Sequence, residues 1–287
     1  MEKRIADMVC KLSTQEKIAL CSGADFWHTK AVEKLGLPAV MMCDGPHGLR
    51  KQEGDADHLG INQSIETVCY PTASALASSF DTQVLTRLGE ALGEECQAEH
   101  VGMLLGPGLN MNRSPLCGRN FEYYSEDPVV AGKMGSAMVR GIQSNNVGCS
   151  VKHFAVNNKE TNRKHLDSRL SERALREIYL KQFEIIVKEA KPWTIMSSYN
   201  VINGHRASEN KDLLEGILRD EWGFEGMVTS DWWTRGEHYK EILAGNDVKM
   251  AVGYPERVKK AMEMGALDRS DLEHCARRVL ELILKFD

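Results

Sequence analysis

The stretch Gly226-Met227-Val228-Thr229-Ser230-Asp231-Trp232-Trp233 reads as a short apolar strand that stops at a carboxylate followed by two indoles. Those residue types suit a sugar. An indole covers the apolar C–H face of a pyranose, and a carboxylate at the end of a strand can attack the anomeric carbon. Taken alone, Asp231 has a plainer explanation, as the cap of a helix opening near Thr234. Four other clusters shift the balance toward chemistry.

The first is Asp44-Gly45-Pro46-His47-Gly48-Leu49-Arg50, where an acidic acceptor and a guanidinium donor flank one turn. Sugar hydroxyls both donate and accept, so Asp44 and Arg50 fit them as well as they fit a turn salt bridge. The second runs from Cys117 to Pro128, a polar and aromatic loop longer than a compact domain needs for structure alone. Within it Arg119 could donate to a hydroxyl or to Asp231, Glu122 is better placed to orient arginines than to react, and Tyr123 and Tyr124 are expected to pack. The third is Lys152-His153 at a strand end. Alternation sends at least one of the two into the mouth, and a cation there would keep Asp231 ionised. The fourth is Arg163 with Tyr199, whose hydroxyl could reach the Asp231 carboxylate or merely pack. Glu160, Asn162, Asp167 and Asn200 are candidates for supporting hydrogen bonds.

Each cluster follows an apolar run of strand length. Runs at 39–43, 73–80, 101–105, 149–154, 194–198, 227–231 and 246–251 alternate with amphipathic helices, giving about seven strands with an eighth not visible. Helix signals sit between them: Ser13 with Glu16 as a capping box, Asp81 before a Leu85-Leu88-Leu92-Cys96 stripe, and Asp127-Pro128 opening a helix to about Gln143. Ser171 and Asn210 cap two more, Pro255 opens another, and Ser270 with Glu273 reads as a second box. Strands alternating with helices, and chemistry gathered just after strands, predict one (β/α)8 TIM-like barrel over residues 1–287. A doubly wound sheet is disfavoured because no Gly-x-Gly-x-x-Gly follows the first strand.

Composition agrees with a globular chain of this size. The 287 residues are 42% hydrophobic and 27% charged, with net charge -5 and pI near 6.0. No basic block suggests nucleic acid, and no apolar run reaches the ~20 residues of a membrane helix. The start, Met1-Glu2-Lys3-Arg4-Ile5, lacks a signal-peptide core. The eight cysteines are scattered without a Cys-x-x-Cys pair, several inside apolar runs, so reduced core thiols are expected, with no metal framework and no cofactor. Together these favour a cytoplasmic protein.

With these pieces assembled, the chain closely resembles the barrel domain of family 3 glycoside hydrolases, in the β-glucosidase branch. The resemblance rests on 44–50 (Asp-Gly-Pro-His-Gly-Leu-Arg), on 118–128 (Gly-Arg-Asn-Phe-Glu-Tyr-Tyr-Ser-Glu-Asp-Pro) and on 151–163 (Val-Lys-His-Phe-Ala-Val-Asn-Asn-Lys-Glu-Thr-Asn-Arg). It extends to 198–204 (Ser-Tyr-Asn-Val-Ile-Asn-Gly) and to Ser230-Asp231-Trp232, all in the family's order. It implies Asp231 as the nucleophile of a retaining hydrolase that forms a glycosyl-enzyme intermediate. Asp44, Arg50, Arg119, Lys152, His153, Arg163, Tyr199 and Trp232 would then line the subsite for the terminal sugar of a β-glycoside, foremost a β-D-glucoside. It also implies a barrel that is irregular near its first strands.

A retaining glycosidase needs a second carboxyl as acid/base. In this branch a separate α/β domain usually carries it, so the resemblance implies an acid supplied by a second domain or partner chain. Alternatives are a non-catalytic sugar-binding barrel, or a β-xylosidase or β-N-acetylglucosaminidase type of hydrolase. The last would draw its acid from a His-Asp pair after the Lys-His strand, here His165 with Asp167. A Schiff-base aldolase using Lys152 is the weakest reading, for lack of an apolar pocket around the amine.

Overall fold

The computed structural model describes residues 2–52, 54 and 62–286. Five parallel strands form its centre: β1 (Met42–Cys43), β2 (Met103–Leu104), β3 (Gly148–Phe154), β5 (Thr194–Ser197) and β8 (Met227–Ser230), paired in that order. A small outer sheet joins β4 (Asp167–Ser168), β6 (Val201–Ile202) and β7 (His205–Arg206).

Backbone bridges carry the central sheet round into a ring. Thr229 of β8 pairs in parallel with Val248, Lys249 with Ser22, then Gly23 antiparallel with Thr29, and His28 antiparallel with Met41 beside β1. The wall is therefore an irregular (β/α)8-type barrel whose early segment at 28–29 runs against its neighbours. Gly23 is required at the seam, because a Cβ there would sit 1.7 Å from the Ala251 carbonyl oxygen.

Strand alternation sorts the core into two layers. Met42, Met103, Met196 and Met227 face one cluster, inside the ring, together with Leu105, Trp232 and Met250. Their neighbours Cys43, Leu104, Ile195 and Val228 face the other, under the surrounding helices, with Cys149 and Val151 of β3. Barrel interiors are filled by bulky side chains, and unbranched thioethers fit this irregular ring.

The helices begin where their caps predict. Asp127 accepts from the amides of Val129 and Val130 at 2.7 and 3.0 Å, and α5 (Pro128–Gln143) follows. Ser13 and Glu16 form the expected box, and Asp81 caps α4 (Thr82–Ala98). Asn210 accepts from the Leu213 amide at 3.1 Å.

Two expectations are corrected. The run at 73–80 is no strand but α3 (Ala73–Ala77), because Thr72 accepts from the Ala75 amide at 3.3 Å and its alanines favour helix. Ser270 does not cap the last helix, α10 (Arg269–Ile283), which starts one residue earlier after Asp268. Glu273 turns instead to Lys17 at 2.5 Å and Arg269 at 2.8 Å.

Among the described residues no helix is long and apolar enough to cross a membrane. Five cysteines are buried and free, while Cys10 and Cys69 are exposed and Cys117 is half-buried, so the thiols are not all in the core.

Candidate active site

Each strand end delivers its residues to one place. Asp44 leaves β1, Lys152 and His153 close β3, Tyr199 follows β5, and Asp231 and Trp232 follow β8. All nine residues singled out in the sequence (Asp44, Arg50, Arg119, Lys152, His153, Arg163, Tyr199, Asp231 and Trp232) line a single recess of about 200 Å³. Such convergence at the carboxyl ends of parallel strands is where barrels do chemistry.

Simple alternation would send His153 out when Lys152 points in. Instead the pairing of β3 with β5 shifts between Val151 and Phe154, the Lys152–His153 peptide is cis, and both side chains line the recess. Phe154 then returns to the outer core.

A ladder of alternating charge crosses the floor. Asp44 Oδ2 lies 3.4 Å from Arg50, and Asp44 Oδ1 lies 2.6 Å from Lys152 Nζ. Lys152 is 3.9 Å from Glu122 Oε2, and the other oxygen of Glu122 accepts from Arg119 Nε. Arg119 reaches His153 Nε2 at 3.0 Å, and that nitrogen is 3.9 Å from Asp231 Oδ2. Glu122 thus orients a guanidinium, as its position in the loop suggested. Lys152 acts as a cation held by Asp44, which removes the amine nucleophile an aldolase would need.

His153 is neutral on two grounds. A guanidinium can only donate, so Nε2 must accept and the proton sits on Nδ1. Burial and the cations Arg119, Lys152 and Arg163 also push its value well below the usual imidazole range. Nδ1 faces the Tyr123 hydroxyl at 3.0 Å, and Asn110 clamps the His153 backbone with bonds of 2.8 Å to its N–H and its carbonyl. Tyr123 therefore does more than pack.

The two aspartates of the recess are pulled apart. Burial favours the neutral form of Asp44, but Lys152 and then Arg50 and Arg119 overcome it and bring the carboxyl down to about 2. At Asp231 burial wins, and its value rises despite Arg119, the Trp232 N–H and Arg163. Cations beside Asp231 therefore offset its burial without reversing it. Groups driven in opposite directions within one pocket are a mark of divided chemical roles. Asp231 Oδ1 accepts from the Trp232 amide at 2.7 Å, while Oδ2 lies 3.9 Å from the neutral His153 and, among the described residues, has no lysine or arginine within ion-pair distance.

Tyr199 stands beside the Asp231 carboxylate, whose charge and side chain both act on its phenol. Its hydroxyl donates to the Trp232 carbonyl at 2.5 Å, and burial followed by the nearby Asp231 charge raises the phenol's value. Arg163 lies over the Tyr199 ring at 4.8 Å and pairs with Glu160 at 2.9 Å. The outer sheet fixes these two, since β4 continues the loop that follows β3 and β6 continues the loop that follows β5.

The His165-Asp167 acid is not formed. His165 is exposed, lies outside the recess, and has Arg235 2.6 Å from Nε2. Asp167 pairs with Arg169 at 2.7 Å instead. The seventh segment, 247–252, also spends its charges internally: Asp247 holds Arg219 at 2.8 Å and Lys249 holds Glu241 at 2.6 Å.

Phe26 and Trp27 complete the apolar wall, packed edge-on at 4.5 Å, with the Trp232 indole N–H donating to the Phe26 carbonyl at 2.8 Å. Sequence reasoning passed over them, although an aromatic pair before the first strand was a usable signal. Asn110, which sets His153, had no signal short of the fold.

Comparison with known proteins places this geometry. The profile described as "Glycosyl hydrolase family 3 N terminal domain" matches residues 15–282. The thermostable beta-glucosidase B of Acetivibrio thermocellus is 46% identical over 282 residues, covering 97% of this chain and 37% of that protein. An exo-alpha-(1->6)-L-arabinopyranosidase of Bifidobacterium longum is 45% identical over 276 residues, covering 96% of this chain and 36% of its own. The chain thus spans about a third of the length of these curated relatives. The structure of beta-glucosidase 3B from Thermotoga neapolitana in complex with alpha-D-glucose superimposes with a TM-score of 0.92 at 39% identity, covering 98% of this chain and 42% of that one.

Proposed function

Because this chain belongs to glycosyl hydrolase family 3, by that family's N-terminal domain, we propose that it binds the terminal sugar of a β-glycoside and supplies Asp231 as nucleophile of a retaining hydrolysis. A β-D-glucoside is the foremost substrate, in keeping with the beta-glucosidases among its relatives. The observation that carries the proposal is the state of the carboxylates. Asp44, Glu122 and Glu160 are each paired with a lysine or arginine, whereas Asp231, among the described residues, has neither within ion-pair distance.

In the first step Asp231 Oδ2 forms a bond to C1 of the sugar. The C1–O bond to the aglycone breaks, and its electron pair leaves on the aglycone oxygen. Asp44 accepts from sugar hydroxyls, and Arg50, Arg119, Lys152 and Arg163 donate to them. The neutral His153, fixed by Asn110 and Tyr123, presents a defined polar edge, and Trp232 packs against the ring. Water then attacks C1, the C1–Oδ2 bond breaks with its electron pair returning to Asp231, and the proton shed by the water passes to the external acid/base group or to solvent.

The proton for the aglycone oxygen has no donor in this recess, since the other carboxylates are held in ion pairs. We therefore assign it to a group outside these residues, carried by a further domain or partner chain. In line with that, the chain alone should bind sugar yet cleave only glycosides whose leaving group needs no proton. The free thiols fit a reducing compartment, and the proposal places the protein in the cytoplasm.

A 2-deoxy-2-fluoro-β-glucoside of dinitrophenol tests the assignment. Intact-mass analysis should show one adduct per chain, and peptide mapping should place it on Asp231. An adduct elsewhere, or none, overturns the assignment of Asp231.

A further inference from the structure

Behind the wall that carries His153, one buried asparagine holds two separate parts of the site. Asn157 follows β3, and its Nδ2 donates to the Tyr123 hydroxyl at 3.0 Å and to Glu160 Oε1 at 3.0 Å. A carboxylate paired with an arginine only accepts, so the amide nitrogen, not the oxygen, must face Glu160. Both hydrogens of that nitrogen are then committed.

The two acceptors lead to two different neighbours of Asp231. The Tyr123 hydroxyl also receives the His153 Nδ1–H at 3.0 Å, and His153 Nε2 stands 3.9 Å from Asp231 Oδ2. Glu160 Oε2 holds Arg163 at 2.9 Å. Arg163 in turn lies over the Tyr199 ring, whose hydroxyl donates to the Trp232 carbonyl next to Asp231. His153, Glu160 and Arg163 line the recess, whereas Tyr123 and Asn157 do not. Asn157 therefore acts on a bound sugar through the groups it holds.

The backbone is bent to put it there. Val156, the residue before it, is buried at a φ of 65°, a left-handed conformation that β-branched residues seldom adopt. Such strain persists where the surroundings impose it, and it gathers at functional sites.

Resting on the site reading above, we propose that Asn157 is a positioning residue for the attack by Asp231. It ties His153, through Tyr123, to Arg163, through Glu160, and so fixes the spacing of two groups that meet the sugar beside the nucleophile. Asp44, Arg50 and Lys152 pair among themselves and keep their hold on the rest of the ring without it.

Labelling of Asp231 by the 2-deoxy-2-fluoro-β-glucoside of dinitrophenol reads this as a split between rate and affinity. In Asn157→Ala the rate at saturating reagent should fall roughly ten- to hundredfold, the scale of a small misplacement of reacting groups, while the half-saturating concentration should move less than about threefold. Asn157→Asp keeps the size, offers Glu160 no donor while ionised, and should show the same fall at neutral pH if the alanine variant does not fold. A merely structural asparagine would lower the melting temperature and leave the saturating rate of the folded chains unaltered, and that result overturns the proposal. The double variant Tyr123→Phe, Asn157→Ala should label no more slowly than Asn157→Ala alone, because one line of contacts carries both effects. Losses that multiply overturn the proposal as well. Proton NMR of the His153 ring N–H, identified by its loss in His153→Gln, decides the question even if Asp231 is not the residue labelled. In Asn157→Ala this proton should exchange with solvent roughly five- to tenfold faster, the effect of about one hydrogen bond lost at its acceptor, and an unaltered exchange rate overturns the proposal.

Discussion

Two neighbouring parts of the barrel wall bury charge in opposite ways. On the segment after β8, Lys249 is 1% exposed and donates to Glu241 at 2.6 Å, to the Thr234 hydroxyl at 2.8 Å and to the Gly236 carbonyl at 3.1 Å. Glu241 in turn accepts from Thr234 at 2.6 Å and Ser208 at 2.8 Å, so the knot satisfies itself. At the end of β8 itself, Asp231 is 9% exposed, holds one backbone N–H, and has no lysine or arginine within ion-pair distance among the described residues. Buried charge with every partner supplied internally serves the fold. Buried charge left incomplete is waiting for something the chain does not contain.

Replacing the open carboxylate should change chemistry and spare the fold. Asp231→Asn should cut turnover of activated glucosides by on the order of 10⁴-fold, the scale of losing a covalent nucleophile. The same variant should melt higher at pH 7. A buried carboxyl with a raised value weakens the fold while ionised, so the advantage should shrink as pH falls through that raised value. A lower melting temperature at pH 7 would mean that Asp231 belongs with the knot.

Opening the knot should do the reverse. Lys249→Met strands Glu241 as a lone buried charge and should cost about 3–5 kcal/mol in urea unfolding. Glycoside labelling of the surviving folded fraction should continue. If stability holds while labelling stops, the division between the two regions is wrong.

Asp44 lies between the extremes, paired and yet lining the recess. Its folded value of about 2 is below the ordinary 3.8, so its stabilisation is present above pH 3.8 and is lost as pH falls through about 2. Discounted for its partly exposed side chain, Asp44→Asn should cost roughly 1–2 kcal/mol at pH 7, with the gap closing in acid. Glucose protection against labelling should weaken in the same variant. The smallest effect is expected at His165→Ala, whose rate on an unactivated phenyl glucoside should match that of the unaltered chain. A large loss there would revive the imidazole acid.

The sequence made some of this contrast legible. Asp127-Pro128 placed α5 to the residue, because a cap and an N1 proline are local signals. Asp44, Lys152, His153, Tyr199, Asp231 and Trp232 were legible as strand-end residues, where apolar side chains give way abruptly to polar ones, whereas Arg50, Arg119 and Arg163 stood out only as charges in the loops beyond. The run at 73–80 misled because a short apolar stretch has too few turns to show its period, and the Thr72 cap decided the matter. The segments at 22–23 and 28–29 were invisible for a different reason. Each contributes only isolated bridges, so no pattern marks them as wall. Nothing in the residues around Lys249 separated it from Lys152. The partners that distinguish them are distant in the chain.

The seam at Gly23 has a consequence for how the molecule comes into being. Ser22 and Gly23 are wedged between Thr29 and Lys249, residues near opposite ends of the sequence. During synthesis the early segment must wait, with its edge open, until Lys249 has emerged. Contacts of such long sequence separation form slowly. The pocket wall formed by Phe26 and Trp27 follows directly from that wedge, so the chain should acquire this face of its recess only after the segment around Lys249 is in place.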